Sequence, residues 1–433
     1  MLRLLGLSMA IGIAAAIVAS GFLWLMARGQ ELVWKQLPAQ LGLFSADGRL
    51  AWWWITLVLL VAAGVVILAR RMPGATGGGP LSGFHFDDAP AIMPSVLIAA
   101  LASLLFGVAL GPEAPLIVLG SAVGALFIWR QARPDPAASP MALALMALGG
   151  LAAISAVFGN PYVTAFMMLE FAAFGLIPTR LILPGFVALG SSYLVQLGIW
   201  GLPGFGVHPL AVPDVPAYSV IGVGDLIAGV AVAVIAAALA LVVQKAAQVI
   251  DRLQTRRPVT TLVGAALITA AAAVTAVWML GVPLDSVLFS GQSGMAGLIA
   301  ETSLVAVLAI LLLKAVAYAV ALGGGFRGGP IFPATFLGVA VGVAVHLIVP
   351  GVSVTPMAAV GIAAAAVVMI RLPGTAGLMA MLLVAGGSVA VAPFAILGAV
   401  IGAVLRAVAD RRLDAPSPAA RTSAAPASDR NGA

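Results

Sequence analysis

Few residues in this chain could do chemistry, and most of them are single charges stranded in apolar sequence. Glu113 lies in GPEAPLIVLGSAVGALFIW, which starts at Gly111, and is the only charged residue between Ala89 and Trp129. Glu170 is the only charge between Met141 and Thr179, and Lys314 stands alone in the stretch 302–326. A charge at bilayer depth costs roughly 2.5–3.5 kcal/mol on insertion scales, so each of these is a functional-site hypothesis by default. The histidines, His85, His208 and His346, are too scattered to suggest a metal site, and with no cysteine neither a disulfide framework nor a Cys-based zinc or redox motif is open. No cofactor motif is present. GQSG at Gly291–Gly294, with His346 as base, matches the Ser–His pattern of an intramembrane protease. That pattern has only three fixed positions, two of them glycine in a glycine-rich chain.

These residues sit in a polytopic membrane protein. The chain is 62% hydrophobic and 8% charged, against about 25% charged in a soluble domain. Apolar segments recur at roughly 4–26, 51–69, 91–110, 116–129, 141–157, 161–177, 181–200, 218–244, 260–280, 303–322, 331–349, 356–370, 374–390 and 393–408. A full span needs about 20 apolar residues. Several segments are shorter and broken by some of the fifty glycines and twenty-eight prolines. Such breaks survive in lipid only inside protein or beside a water-filled cavity. The first segment is longer than a signal-peptide core and lacks a clear cleavage site, so it reads as the first helix. No basic stripe interleaved with aromatics points to nucleic acid.

Arginine sets the expected orientation. Arg70 and Arg71, Arg130 and Arg133, Arg252, Arg256 and Arg257, and Arg411 and Arg412 mark cytoplasmic ends, with both termini cytoplasmic. Connections 201–220 and 281–302 carry Asp214, Asp285 and Glu301 but no Lys or Arg, and should face outward. The expected organisation is one transmembrane domain over 1–412, in halves of about 1–250 and 260–412, with a disordered tail at 413–433 rich in Ala, Pro and Ser and too short for a regulatory domain.

The two halves are related. GPEAPLIVLGSAVG (111–124) and GPIFPATFLGVAVG (329–342) agree without a gap at eight of fourteen positions. NPYVTAFMMLE (160–170) and LPGTAGLMAML (372–382) share a Pro-led apolar pattern at a similar offset. Chance similarity of Gly/Ala/Val-rich helices accounts poorly for the shared Gly-Pro-x-x-Pro. Paired halves with Pro-broken helices in matching places point to a midplane transport site.

Pro suits a helix's first turn, because its missing N–H would be unpaired there. Gly-Pro-x-x-Pro therefore marks a helix that begins within the membrane. Its free N–H groups and positive dipole end, about half an elementary charge, bind anions without a full cation. Glu113 at such a start is an anion tethered to the protein. It can occupy the anion site itself and leave on protonation or competition by an ion, which makes it a gate and a proton carrier. The plain alternative is a helix cap with no traffic past it.

At this point the chain resembles the CLC chloride channels and chloride/proton antiporters over nearly all of 50–408. GPEAP resembles the family's gating motif GREGP, GGGFRGGPIFP from Gly323 its GxxGGxFxP filter, and MPGATGGGP from Met72 stands where the first filter loop, GSGIP, belongs. FGNPYVTAFMMLEFA is similar to FNAPLAGILFIIEE, with IRLPGTAGLMAMLL as its counterpart. The resemblance implies an all-α inverted-repeat fold of about eighteen broken and half-membrane helices, working as a homodimer in the cell membrane with one pore per subunit. It places anion-binding main-chain groups at Gly78, Gly79, Ala114, Gly329, Ile331 and Phe332, and gating or proton roles at Glu113 and Glu170.

The chain also departs from the pattern. Gly78 replaces a serine hydroxyl, no tyrosine follows Tyr318, and Pro112 and Pro330 lack an N–H. Phe171 stands where antiporters carry a second, cytoplasmic-side glutamate, with Glu170 beside it. The expectation is a chloride channel gated by Glu113. The alternatives are a proton-coupled chloride or fluoride antiporter, an unrelated carboxylate transporter, and the protease. Lys314 is expected to raise the positive potential of the anion path, pair with a carboxylate such as Glu170, or snorkel. Arg327 is expected to draw anions at a vestibule or tie down loop carbonyls, and Arg371 to act as an interfacial anchor.

Overall fold

The structure is a computed structural model that describes residues 2–74, 76–84, 86, 92–127, 140–202, 211–384 and 388–414. His85, His208, Arg130, Arg133 and the expected tail from residue 415 onward lie outside the described residues. Apart from two isolated bridges, the regular structure described is helical.

The first half runs α1 (Leu2–Glu31), α2 (Leu37–Gln40), α3 (Trp52–Ala69), α4 (Met93–Leu105), α5 (Glu113–Leu126), α6 (Pro140–Phe158), α7 (Pro161–Ala173) and α8 (Ile182–Trp200). α9 (Val223–Arg256) reaches the expected boundary between the halves, and beyond it run α10 (Pro258–Val274), α11 (Met295–Ile299), α12 (Leu304–Gly323), α13 (Ile331–Ile348), α14 (Val354–Ile370), α15 (Pro373–Val384) and α16 (Ala392–Asp414). Nine of the described helices are long and apolar enough to cross a membrane. Helices α4, α5, α7, α14 and α15 are apolar but shorter, the broken elements that the proline and glycine spacing predicts. Two boundaries differ from the hydropathy reading. α5 begins at Glu113 rather than 116, because Glu113 is itself the first helical residue after Pro112. α9 continues to Arg256, since QKAAQVIDRLQTR is polar yet a good helix former.

The repeat is visible in the packing. α5–α6–α7–α8 is matched by α13–α14–α15–α16, and each set has a single 3₁₀ turn before its last helix, at Thr179–Leu181 and Val389–Val391. Gly120 of α5 lies against Gly149 of α6, where a Cβ would fall 2.1 Å from the Gly149 carbonyl oxygen. Gly338 of α13 meets Gly361 of α14 in the same way, at 2.2 Å, and one turn on Gly342 meets Met357 as Gly124 meets Leu145. Lipid gives no hydrophobic drive between helices, so close backbone approach at small residues is what fastens such pairs. The duplicated GSAVG and GVAVG are these contact faces. α14 is the extreme case: almost every residue from Val354 to Val368 is buried, which is why its apolar character has no polar side.

A side chain at the α13–α14 crossing should not be accommodated. Gly361→Val is expected to destabilise the detergent-solubilised protein by about 1–3 kcal/mol or prevent its accumulation. Gly64→Ala, where a Cβ meets nothing within 4 Å, should leave thermal unfolding unchanged.

Candidate anion site

The two Gly-Pro-x-x-Pro motifs meet each other. Gly111 and Gly329, equivalent positions of the repeat, form an antiparallel bridge, with Gly111 N–H donating to Gly329 O (2.8 Å) and Gly329 N–H to Gly111 O (2.5 Å). Equivalent residues paired antiparallel are related by a local two-fold axis, so the bridge marks the junction of the halves. Pro112 caps α5 and Pro330 caps α13, and both helices start from this junction with unpaired N–H groups.

Glu113 fills the space between them and is fully buried. Its Oε1 accepts from Phe332 N–H of α13 at 3.0 Å. Its Oε2 has no hydrogen-bond partner among the described residues. The carboxylate also presses on both bridge glycines: a Cβ would fall 2.1 Å from Oε2 at Gly111 and 1.9 Å at Gly329. Only glycine leaves room for the side chain here. Phe158 of α6 packs on Phe332 with ring centroids 6.1 Å apart.

Cavities open on either side. One of about 1130 Å³ is lined by Leu110, Pro112, Phe289 and Gln292, together with parts of the 211–213 and 281–293 connections expected outside. The other, about 550 Å³, is lined by Gly78, Gly79, Ala114, Pro330 and three arginines, Arg327, Arg371 and Arg406. Glu113 lines neither cavity. Among the predicted anion ligands, then, Gly78, Gly79 and Ala114 share the smaller cavity. Ile331 and Phe332 lie buried at the α13 start, and the Gly329 N–H is used in the bridge.

Glu170 stands apart from this site. It accepts from Gly374 N–H (2.7 Å), Thr375 N–H (2.7 Å) and the Thr375 hydroxyl (2.5 Å), capping the N-terminus of α15. Phe171 is buried, with Phe84 and Phe86 edge-on at 5.7 and 5.9 Å. Two of the expectations for Lys314, pairing with Glu170 and snorkelling, need correction. Its ammonium is fully buried, neither snorkelling nor paired with Glu170, and donates to the carbonyls of Val287, Leu288 and Phe289 at 3.1, 2.9 and 2.9 Å. A helix of apolar residues offers no acceptor for it, whereas the turn before α11 offers three. Arg327 does tie down loop carbonyls, those of Thr76 and Gly77. Arg371 is largely exposed and pairs with Asp410 at 3.5 Å. His346 Nδ1 lies 2.6 Å from the Val352 carbonyl.

Three residues of this region escaped the sequence reading. Tyr318, fully buried, donates from its hydroxyl to Pro330 O at 2.5 Å. Its position one turn beyond Lys314 on α12 places both polar tips on one helix face, a signal that was available. Thr375 and Thr76 were hidden, because their partners come from distant parts of the chain.

The fold and this junction define a polytopic transporter or channel for anions, with its site where helix N-termini from two repeats converge. Comparison with known proteins agrees. The model of the voltage gated chloride channel family matches residues 79–407, and the chain belongs to that family. It is a multi-pass membrane protein of CLC-family anion transport and not an enzyme. The putative ion-transport protein YfeO of Escherichia coli O1:K1 / APEC is 30% identical over 365 residues, 80% of this chain and 79% of the relative. YfeO of Salmonella paratyphi A is 27% identical over 347 residues, 78% of each chain. Among solved structures, a slow cyanobacterial Cl-/H+ antiporter superposes with TM-score 0.73 at 18% identity, covering 94% of this chain and 95% of that one. A CLC-type fluoride/proton antiporter gives 0.67 at 18% identity, covering 93% and 95%.

Glu170→Gln tests whether that carboxylate is structural. Loss of charge-assisted bonds to α15 should lower stability by about 1.5–3 kcal/mol while anion flux through the folded protein persists.

Proposed function

We propose that this chain is a passive chloride channel with Glu113 as its gate, assembled as a homodimer with one pore per subunit. The observation that carries the reading is the buried Glu113 carboxylate between the two cavities, with Oε1 accepting from Phe332 N–H, the Ile331 and Glu113 N–H groups also facing it, and Oε2 without a hydrogen-bond partner among the described residues. A carboxylate seated among main-chain N–H groups at a helix start, with one oxygen left unpaired, is a replaceable occupant of an anion site. Protonation removes the charge that the helix N-terminus attracts, and a chloride ion competes for the same Phe332 N–H. Either event frees the passage, and the ion then meets the backbone at Gly78, Gly79, Ala114, Ile331 and Phe332.

Uncoupled conduction is favoured by the smaller cavity's side of the site. Phe171 cannot carry a proton, and Glu170 is engaged by three donors at α15. The second reading is proton-coupled antiport of chloride or fluoride. It is favoured by the solved structures of like fold, which are a chloride/proton and a fluoride/proton antiporter. In it Glu113 is the proton carrier and Glu170 its partner.

In chloride-loaded liposomes, wild-type efflux should rise as pH falls, because protonation withdraws the blocking charge. Glu113→Gln and Glu113→Ala should pass chloride with no pH dependence. Variants that keep both the wild-type rate and its pH response would remove Glu113 from the gate.

A further inference from the structure

We propose that Arg327 is the charged ligand of the anion in the smaller cavity, beside Gly78, which offers no hydroxyl. The proposal rests on the anion-conduction reading above and assigns its inner site. Arg327 and the backbone of Gly78 and Gly79 line the same cavity. The guanidinium is tied down at one side. Nε donates to Thr76 O (2.9 Å) and Thr76 Oγ1 (3.0 Å), and Nη2 donates to Gly77 O (3.0 Å). Nη1 has only the Phe326 carbonyl at 3.5 Å, the outer limit of a hydrogen bond. It lies 3.5 Å from where a Cβ of Gly79 would stand. Nη1 and Gly79 thus lie side by side on the wall of the smaller cavity.

The charge is not neutralised locally. The ion pairs among the described residues are Arg28–Glu31, Arg371–Asp410 and Arg406–Asp410, so the cavity's other two arginines have a carboxylate and Arg327 has none within 4.0 Å. Arg70, the next cation, donates to Gly325 O at 2.9 Å and adds to the positive potential. Asp251 is the carboxylate that Arg327 feels at longer range. No hydrogen bond among the described residues uses the N–H of Gly78 or Gly79. Thr76 and Gly77 hold φ of 75° and 67°, the left-handed region that costs a threonine free energy. The Arg327 fork grips these two residues and so fixes the loop that presents Gly78 and Gly79. One side chain thus shapes the loop and supplies its charge. A weakly hydrated guanidinium beside amide donors fits a small monovalent anion such as chloride.

The test is chloride binding by calorimetry on the purified full chain, with liposome flux beside it, for Arg327→Met, Arg327→Lys and Thr76→Val. A hydrogen bond to a charged group contributes about 1.5–3 kcal/mol, so Arg327→Met should weaken chloride binding about tenfold or more. Arg327→Lys keeps the charge without the fork and should stay within about threefold of wild type. Thr76→Val loses one loop tie but keeps the charge, and should weaken binding by less than Arg327→Met does. Should Arg327→Met not fold, Arg327→Gln, which keeps a donor but no charge, reads the same contrast. If Lys and Met variants lose binding equally, Arg327 is only a loop tie and the proposal fails. If the Met or Gln variant binds like wild type, it fails alone, with the conduction reading intact. Wild type that neither binds nor passes chloride overturns the conduction reading and this assignment with it.

Discussion

Two helix N-termini are buried against each other at the Gly111–Gly329 bridge, and their unpaired N–H groups demand a negative partner. In water such groups would be solvated; here, inside a bundle of apolar helices, a tethered carboxylate or a diffusible anion must answer them. Glu113 and Phe332 N–H supply one solution. The glycines make it possible, since a Cβ at either bridge position would collide with the carboxylate. The prolines start both helices at the junction, and the small-residue faces of α5–α6 and α13–α14 hold the starts in place.

Buried charges elsewhere show what distinguishes a mobile group from a fixed one. Lys314 satisfies three carbonyls and Glu170 receives three donors. Breaking either leaves several buried polar groups unpaired, so both are struts. Glu113 faces only main-chain N–H groups at the helix starts, and one of its oxygens has no hydrogen bond among the described residues. The pattern recurs across the repeat: carboxylates of the first half, Glu113 and Glu170, dock on N-termini of the second half, α13 and α15. One is held loosely at the junction and the other firmly away from it.

Much of this was legible in the sequence, for physical reasons. Helix positions followed hydropathy because lipid demands continuous apolar segments, and of the shorter helices α5, α7 and α15 were announced by Pro112, Pro161 and Pro373. The repeat was legible because packing at Gly120, Gly124, Gly338 and Gly342 tolerates no larger residue, which preserves the motif in both halves. Lys314 was misread because its acceptors are backbone carbonyls, and no residue type advertises a carbonyl. Tyr318 and Thr375 were missed because their partners lie across the fold. The Gly111–Gly329 pairing was implied by equal motifs but needed the three-dimensional junction to be seen.

The central claim is that anions pass the Glu113 site without a stoichiometric proton. The most direct measurement loads liposomes with chloride and follows efflux with a chloride electrode while a pH electrode records proton movement. Chloride efflux with no linked proton flux is the predicted result. Efflux that drives protons uphill would contradict it, and would require Glu170 or another group to carry protons past Phe171.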